Sequence, residues 1–162
     1  MKPIEGYNKL RGGYYTPEKI AEFIATWAIR TKNDEILEPS CGDGSFISAI
    51  ADRLHEMGAS DQSIKRNVTG VELDKVEASK ASQYRPNVVQ SDFFTYYQKC
   101  IDGEKEFDVI VGNPPFIRYQ NFEEEYRKVA IELMKKHGFK PNRLMNIWLP
   151  FLVLACKALK PD

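Results

Sequence analysis

The sequence predicts an α/β fold, a parallel sheet with helices on both faces, and three observations carry that prediction. Helical stretches alternate with short strand-like runs along the chain. Those runs are nearly continuous in apolar residues, as strands buried on both faces are. Four unusual peptides, Glu38-Pro-Ser-Cys-Gly-Asp-Gly, Glu72-Leu-Asp, Ser91-Asp-Phe-Phe and Asn113-Pro-Pro-Phe, each stand where one of the runs ends. Ligands of open parallel sheets bind outside the carboxyl ends of the strands, at the point where strand order reverses.

The elements follow in order. A helix is predicted over residues 17–31, with Thr16 as N-cap and Pro17 at the first helical position. Its apolar residues Ile20, Phe23, Ile24, Trp27 and Ala28 recur at helical spacing. Strand one covers 35–38, and a helix over 45–57 closes at Gly58. Strand two is 68–72, followed by a helix over 75–84; strand three is 88–90 and strand four 107–111. A charged helix over 122–137 and an apolar one over 144–159 complete the series.

Length and composition fit one soluble globular domain: 162 residues, 43% apolar and 28% charged. Lys plus Arg number 23, as do Asp plus Glu, so any basic surface has to be local. Cys41, Cys100 and Cys156 are scattered, with neither metal-ligand spacing nor a disulfide framework, which points to a reducing compartment, the cytoplasm. The longest apolar run, 147–155, is too short to span a membrane and contains Pro150.

Each strand end suggests a chemistry. Gly42 and Gly44 let the backbone turn sharply and approach a ligand closely. The third glycine of a dinucleotide fingerprint is replaced by Ile47, and no Gly-Lys-Ser/Thr follows, so a ligand without phosphates suits the turn better. A plain strand-to-helix turn remains open. Glu72 can accept two hydrogen bonds from a ribose diol, or be a solvated strand-end acid. Asp92 can accept from an adenine amino group, and Phe93 or Phe94 can cover that ring, with core packing as the alternative for either phenylalanine.

Asn113-Pro114-Pro115-Phe116 is the most specific feature. An aromatic amine is a poor nucleophile because its lone pair is delocalised into the ring. Two acceptors aimed at its N–H bonds favour the pyramidal nitrogen that forms as a methyl group arrives. The amide oxygen of Asn113 and the carbonyl of Pro114 can be those acceptors, and successive prolines fix φ and remove competing N–H groups. Phe116 can stack on a base that has left its duplex.

Together these residues resemble the amino-methyltransferases, in particular the adenine-specific (N-6) DNA methyltransferases whose cofactor motif precedes the catalytic one. Tyr14-Tyr15-Thr16-Pro17 is similar to their N-terminal cofactor-contact motif. The stretch Leu37-Glu38-Pro39-Ser40-Cys41-Gly42-Asp43-Gly44-Ser45-Phe46 resembles the first cofactor loop, and Gly70-Val71-Glu72-Leu73-Asp74 the ribose-binding strand. Ser91-Asp92-Phe93-Phe94 is similar to the adenine contact and Val111-Gly112-Asn113-Pro114-Pro115-Phe116 to the catalytic loop.

The resemblance implies a Rossmann-like S-adenosylmethionine-dependent methyltransferase fold. It implies cofactor contacts at Tyr15, Thr16, Glu38, Ser40, Gly42, Glu72, Asp92 and Phe93, and catalysis at Asn113, Pro114, Pro115 and Phe116. The implied substrate is double-stranded DNA with a flipped adenine, within a restriction-modification system and beside a restriction subunit. The family's core has seven strands, so residues 1–162 are expected to be a partial catalytic domain, truncated after strand four and its following helix, without a target-recognition domain. The edge of strand four is then expected to self-associate or to pair with a missing C-terminal portion. Two alternatives stay open: methylation of RNA or of a protein glutamine, and a cofactor-binding fragment without activity of its own. From Arg127 to Arg143 there are six Lys or Arg and one acid, Glu132, readable as a DNA contact or as the solvated face of a helix.

Overall fold

The structure, a computed structural model, describes residues 15–84, 86–103, 106–142 and 145–161; Tyr14, Arg143 and Leu144 of the sequence reading lie outside them. The elements are α1 (Glu18–Ala28), β1 (Ile36–Glu38), α2 (Ser45–Glu56), α3 (Asp61–Asn67), β2 (Val68–Glu72), α4 (Lys75–Ala81), β3 (Asn87–Gln90), α5 (Phe93–Cys100), β4 (Val109–Ile110), α6 (Glu124–Lys136) and α7 (Trp148–Ala158).

The four strands form one parallel sheet in the order β3-β2-β1-β4. From β1 the chain steps outward through β2 to β3, then returns to the other side of β1 for β4. The order therefore reverses between β1 and β4, the position at which open parallel sheets bind their ligands. Ile36 stands level with both Val68 and Val109, which brings the ends of β1 and β4 to the same rim.

Alternation along the strands feeds two cores. Ile36, Val68, Val109 and Val111 face Ala21 and Ala25 of α1, Phe46, Ile47 and Ile50 of α2, and Ile64 of α3. Leu37 and Val71 face the other way, onto Phe93, Phe94 and Tyr97 of α5, Leu133 of α6 and Phe151 and Leu154 of α7. Strands covered on both faces need apolar side chains at successive positions, which is why their sequences lack a period of two.

Several boundaries differ from the sequence expectation. Helix α1 begins at Glu18, so Pro17 and not Thr16 holds the cap position, and no side chain caps the helix because proline has no polar side-chain atom. Its buried face is Ala21 and Ala25, while Ile20, Phe23 and Trp27 are exposed, at 50%, 72% and 68%. Packing against α2 selects the alanines, since small side chains let the two helices approach closely.

Helix α3 is absent from the sequence reading because only Ile64 and Asn67 are buried along it; Ser60 starts it by accepting from Ser63 N–H at 3.2 Å. Helix α5, FFTYYQKC, was also unforeseen. Its aromatics favour strands in isolation, but Asp92 caps it and the core takes four of them. Helix α7 starts at Trp148, with Pro150 tolerated in its first turn. Strand four is short because Phe107 leaves the β1 ladder to bridge Leu159: its N–H donates to Ala158 O (2.8 Å) and Lys160 N–H donates to its carbonyl (3.0 Å). Among the described residues no helix is long and apolar enough to cross a membrane.

Candidate active site

Strand β1 ends at Glu38, and the chain turns through Pro39 and Ser40 toward β2. There Cys41 N–H donates to Val71 O at 2.9 Å. Glu72, at the end of β2, then fixes the loop: Gly42 N–H donates to its Oε2 (2.9 Å) and Asp74 N–H to its Oε1 (2.7 Å). Gly44 has φ +98°, and a Cβ there would lie 2.9 Å from Ala81 Cα and from the Tyr84 ring. Only glycine meets both demands. Gly42, at φ +54°, faces open space, with nothing within 4 Å of where its Cβ would point.

The second turn leaves β4 beside the first. Val111 N–H donates to Leu37 O at 3.1 Å, carrying the pairing past the end of the strand. At Gly112 a Cβ would collide with Glu38 Oε1, so any larger residue would have to displace the end of a buried carboxyl side chain. Ser40 Oγ donates to the carbonyl of Asn113 at 3.4 Å, and Asn113 Nδ2 donates to Thr16 Oγ1, also at 3.4 Å. The loop that carries the glycine bend and the Asn-Pro-Pro turn thus lie side by side, and Thr16 joins them from the segment ahead of α1. Asn113, Pro114 and Pro115 are half-buried, while Phe116 is 56% exposed, its ring open to a planar partner.

The base of this site is electrostatically unusual. Glu38 is 1% exposed, and its Oε2 has no hydrogen-bond partner among the described residues. Burial holds its carboxyl well above the usual carboxylate range, and the Glu72 charge adds to the shift. Glu72 is raised by burial too, against the two N–H donors that favour its ionised form. The Cys41 thiol is pushed up by burial and then by the Glu38 and Glu72 charges; its sulfur packs beneath Gly70 as an apolar group. Tyr15, half-exposed, lies near Glu77 of α4 and Asp43 of the loop, with its phenol raised by partial burial and then by those charges.

Two expected contacts look different in place. Asp92 is buried, and its Oδ1 accepts from Thr95 N–H (3.0 Å), so one of its oxygens serves as the cap of α5. Phe93 is a core residue, 2% exposed, its ring stacked on Phe151 with centroids 4.9 Å apart. The expectation that the Phe93 face covers a bound ring is corrected: that face lies against Phe151, and Phe94 is sealed the same way. What Phe93 presents is its backbone N–H, at a helix position that lacks an intrahelical acceptor.

Two residues with no assigned role in the sequence reading belong to the site. Gly112 has a signal in hindsight, a glycine wedged between an apolar strand and a rigid Asn-Pro-Pro turn. Leu73, 39% exposed beside Glu72, offers an apolar wall, for which a single leucine gives no signal. In the basic stretch, Lys128 pairs with Glu124 (3.0 Å) and Lys136 with Asp102 (2.5 Å), while Ala130, Leu133 and Met134 turn into the core.

Proteins of related sequence and related fold are known. The profile of the N-6 DNA methylase family matches residues 4–162. Type II methyltransferase M.HincII of Haemophilus influenzae is 33% identical over 151 residues, covering 92% of this chain and 26% of its own length. The chain thus spans about a quarter of that relative. Among solved structures, one described as the assembly and conformational transition of the type I R-M system superposes with a TM-score of 0.66 at 22% identity, over 93% of this chain and 30% of that one. A Listeria monocytogenes protein described as a class I S-adenosylmethionine-dependent methyltransferase gives 0.66 at 16% identity, over 93% of this chain and 44% of that one.

Proposed function

The chain belongs to the N-6 DNA methylase family, and we propose that it carries the cofactor and target-base sites of an adenine DNA methyltransferase. Its fold is the Rossmann-like α/β fold of S-adenosylmethionine-dependent methyltransferases. The reading is transfer of a methyl group from S-adenosylmethionine to the N-6 amino group of adenine in DNA, in a restriction-modification setting. The observation that carries it is the contact between Ser40 and Asn113, which sets the loop of the glycine bend and the acceptor turn side by side.

The residues present fit S-adenosylmethionine. Above Gly42 there is room for a ligand to approach the backbone. Each Glu72 oxygen accepts one backbone N–H, and a carboxylate oxygen has a second acceptor position for a ribose hydroxyl. Leu73 offers apolar surface next to it, and Asp92 with the Phe93 N–H supplies polar groups for an adenine edge. When bound, the cofactor supplies an electrophilic methyl on a sulfonium.

The chain's own residues do the rest. Asn113 Oδ1 and the Pro114 carbonyl accept the two N–H bonds of the target amine and hold its lone pair toward the methyl. Phe116 stacks on the flipped base, and the basic stretch that starts at Arg127 follows the catalytic loop in the sequence, which supports a contact with the DNA backbone. The amine proton becomes acidic only as the methyl arrives, so no side chain of matched pKa is required as a base.

The test is labelled methyl transfer by the full-length enzyme, with DNA, RNA and protein as acceptors. DNA adenine should take the label. Asn113→Ala should reduce transfer by at least about 100-fold, the scale of losing a preorganised transition-state contact, with cofactor affinity nearly intact. Glu72→Ala should weaken cofactor binding in calorimetry instead. Substantial turnover in Asn113→Ala would sink the acceptor role, and label in RNA or protein would move the substrate.

A further inference from the structure

We propose that Arg118 clamps a phosphate of the extruded nucleotide and so holds the target base out of its duplex against Phe116; this rests on the reading of DNA adenine as the substrate. A nucleotide swung out of the stack by about 180° carries its own phosphates to the protein with it. A stacking ring fixes the plane of the base but not the strand behind it. A cation on the same side of the chain as that ring closes on the other end of the nucleotide.

The segment after the acceptor turn places one there. Phe116 is 56% exposed, Ile117 is buried and Arg118 is exposed again. This is the alternation of a strand, and Arg118 forms an antiparallel bridge with Asn146. Residues two apart in such a segment project to one side, about 7 Å apart at about 3.4 Å per residue. Phe116 and Arg118 therefore share a side, with Ile117 turned into the core between them.

The backbone that carries Arg118 is pinned. The Ile117 carbonyl accepts from Ile147 N–H at 2.9 Å, and the Arg118 carbonyl from Asn121 N–H at 2.8 Å. Arg127 of α6 donates through Nη1 to the Gln120 carbonyl at 3.5 Å, which brings a second guanidinium to the turn that follows. Only the Arg118 side chain then has to be ordered on binding. Its guanidinium makes no ion pair or hydrogen bond among the described residues, whereas Lys128 and Lys136 are taken by Glu124 and Asp102. A planar guanidinium matches two phosphate oxygens with parallel N–H bonds. Giving it to DNA breaks no contact within the described fold.

The experiment uses the full-length enzyme and a duplex carrying its methylation site, with 2-aminopurine, whose fluorescence rises on unstacking, in place of the target adenine. Wild type, Arg118→Gln and Arg118→Lys are compared for affinity across a salt series, fluorescence at saturating duplex, and melting temperature. Arg118→Gln should bind about tenfold more weakly, the scale of a lost charged hydrogen bond, and log affinity should fall with log salt less steeply by about 0.9, the share of one phosphate. Its fluorescence at saturation should drop about twofold or more, because the stacked nucleotide lacks the contact. Arg118→Lys keeps the charge without the fork and should keep the wild-type slope. Melting temperatures should agree within about 2 °C, as for an exposed side chain. The proposal is overturned if Arg118→Gln leaves affinity unchanged, or weakens binding with the salt slope intact. It is equally overturned if the slope changes while fluorescence at saturation does not, which would put the phosphate outside the extruded nucleotide, or if wild type methylates DNA without raising the fluorescence. If wild type transfers no methyl to DNA, the adenine reading has failed instead, and that control tells the two failures apart.

Discussion

Glu38 shows how a single residue ties stability to the site. Its carboxyl lies beside the start of the Asn-Pro-Pro turn, with one oxygen against Gly112 and the other without a hydrogen-bond partner among the described residues. Burial raises its pKa above the value in the unfolded chain, so the folded protein holds a proton that the unfolded one releases. Stability from this group is therefore full below the ordinary carboxylate range and falls as pH rises toward the folded pKa. Glu38→Gln keeps the shape of the protonated acid without its titration. Thermal melting from about pH 4 to pH 8 should show the variant gaining on wild type as pH rises; parallel curves would mean that Glu38 is not a buried acid. The same crowding explains why position 112 takes glycine although its φ is not left-handed.

At the scale of elements, α1 separates two properties that a sequence pattern merges. Its large apolar residues Ile20, Phe23 and Trp27 form a stripe at helical spacing, yet the face on α2 is alanine. Close helix packing needs small side chains, so hydrophobic periodicity pointed to the wrong face. Ala25→Leu should therefore destabilise by about 1–3 kcal/mol through overpacking. Trp27→Ser should stay within about 0.5 kcal/mol of wild type, as surface changes do. Chemical denaturation of both variants checks the ranking, and a larger loss for Trp27→Ser would place the stripe in a contact. Helix α5 makes the complementary point, since strand-favouring aromatics became a helix where a cap and a deep apolar socket coincided.

For the whole molecule, the decisive feature is the reversal of strand order at β1 and β4. It converts four motifs spread from Glu38 to Phe116 into one rim. It also leaves the far side of β4 as a sheet edge. Leu159 and Lys160 bridge Phe107 there, and among the described residues no strand lies against Val109–Ile110 on that side. Open strand edges recruit other strands. Sedimentation of the 162-residue chain should show mass rising with concentration, and Ile110→Lys should suppress it. A single monomeric boundary at every concentration would remove the edge from consideration.

By itself the sequence determined the strand–helix alternation, because buried parallel strands and capped helices leave local marks, and β2 is found at its expected residues, 68–72. It also determined the chemistry of the peptides at the strand ends: glycines where the backbone must turn, an acid after β2, and prolines that freeze Asn113. Tertiary structure alone decided which partners those residues take. Thr16 turned from helix cap to amide contact, Phe93 from ligand cover to core, and Glu38, expected at the end of strand one as a cofactor contact, lies buried as an acid against Gly112. In each case the deciding group lies on a different element, brought close by the sheet order, and no local pattern encodes a neighbour that the chain reaches only after folding.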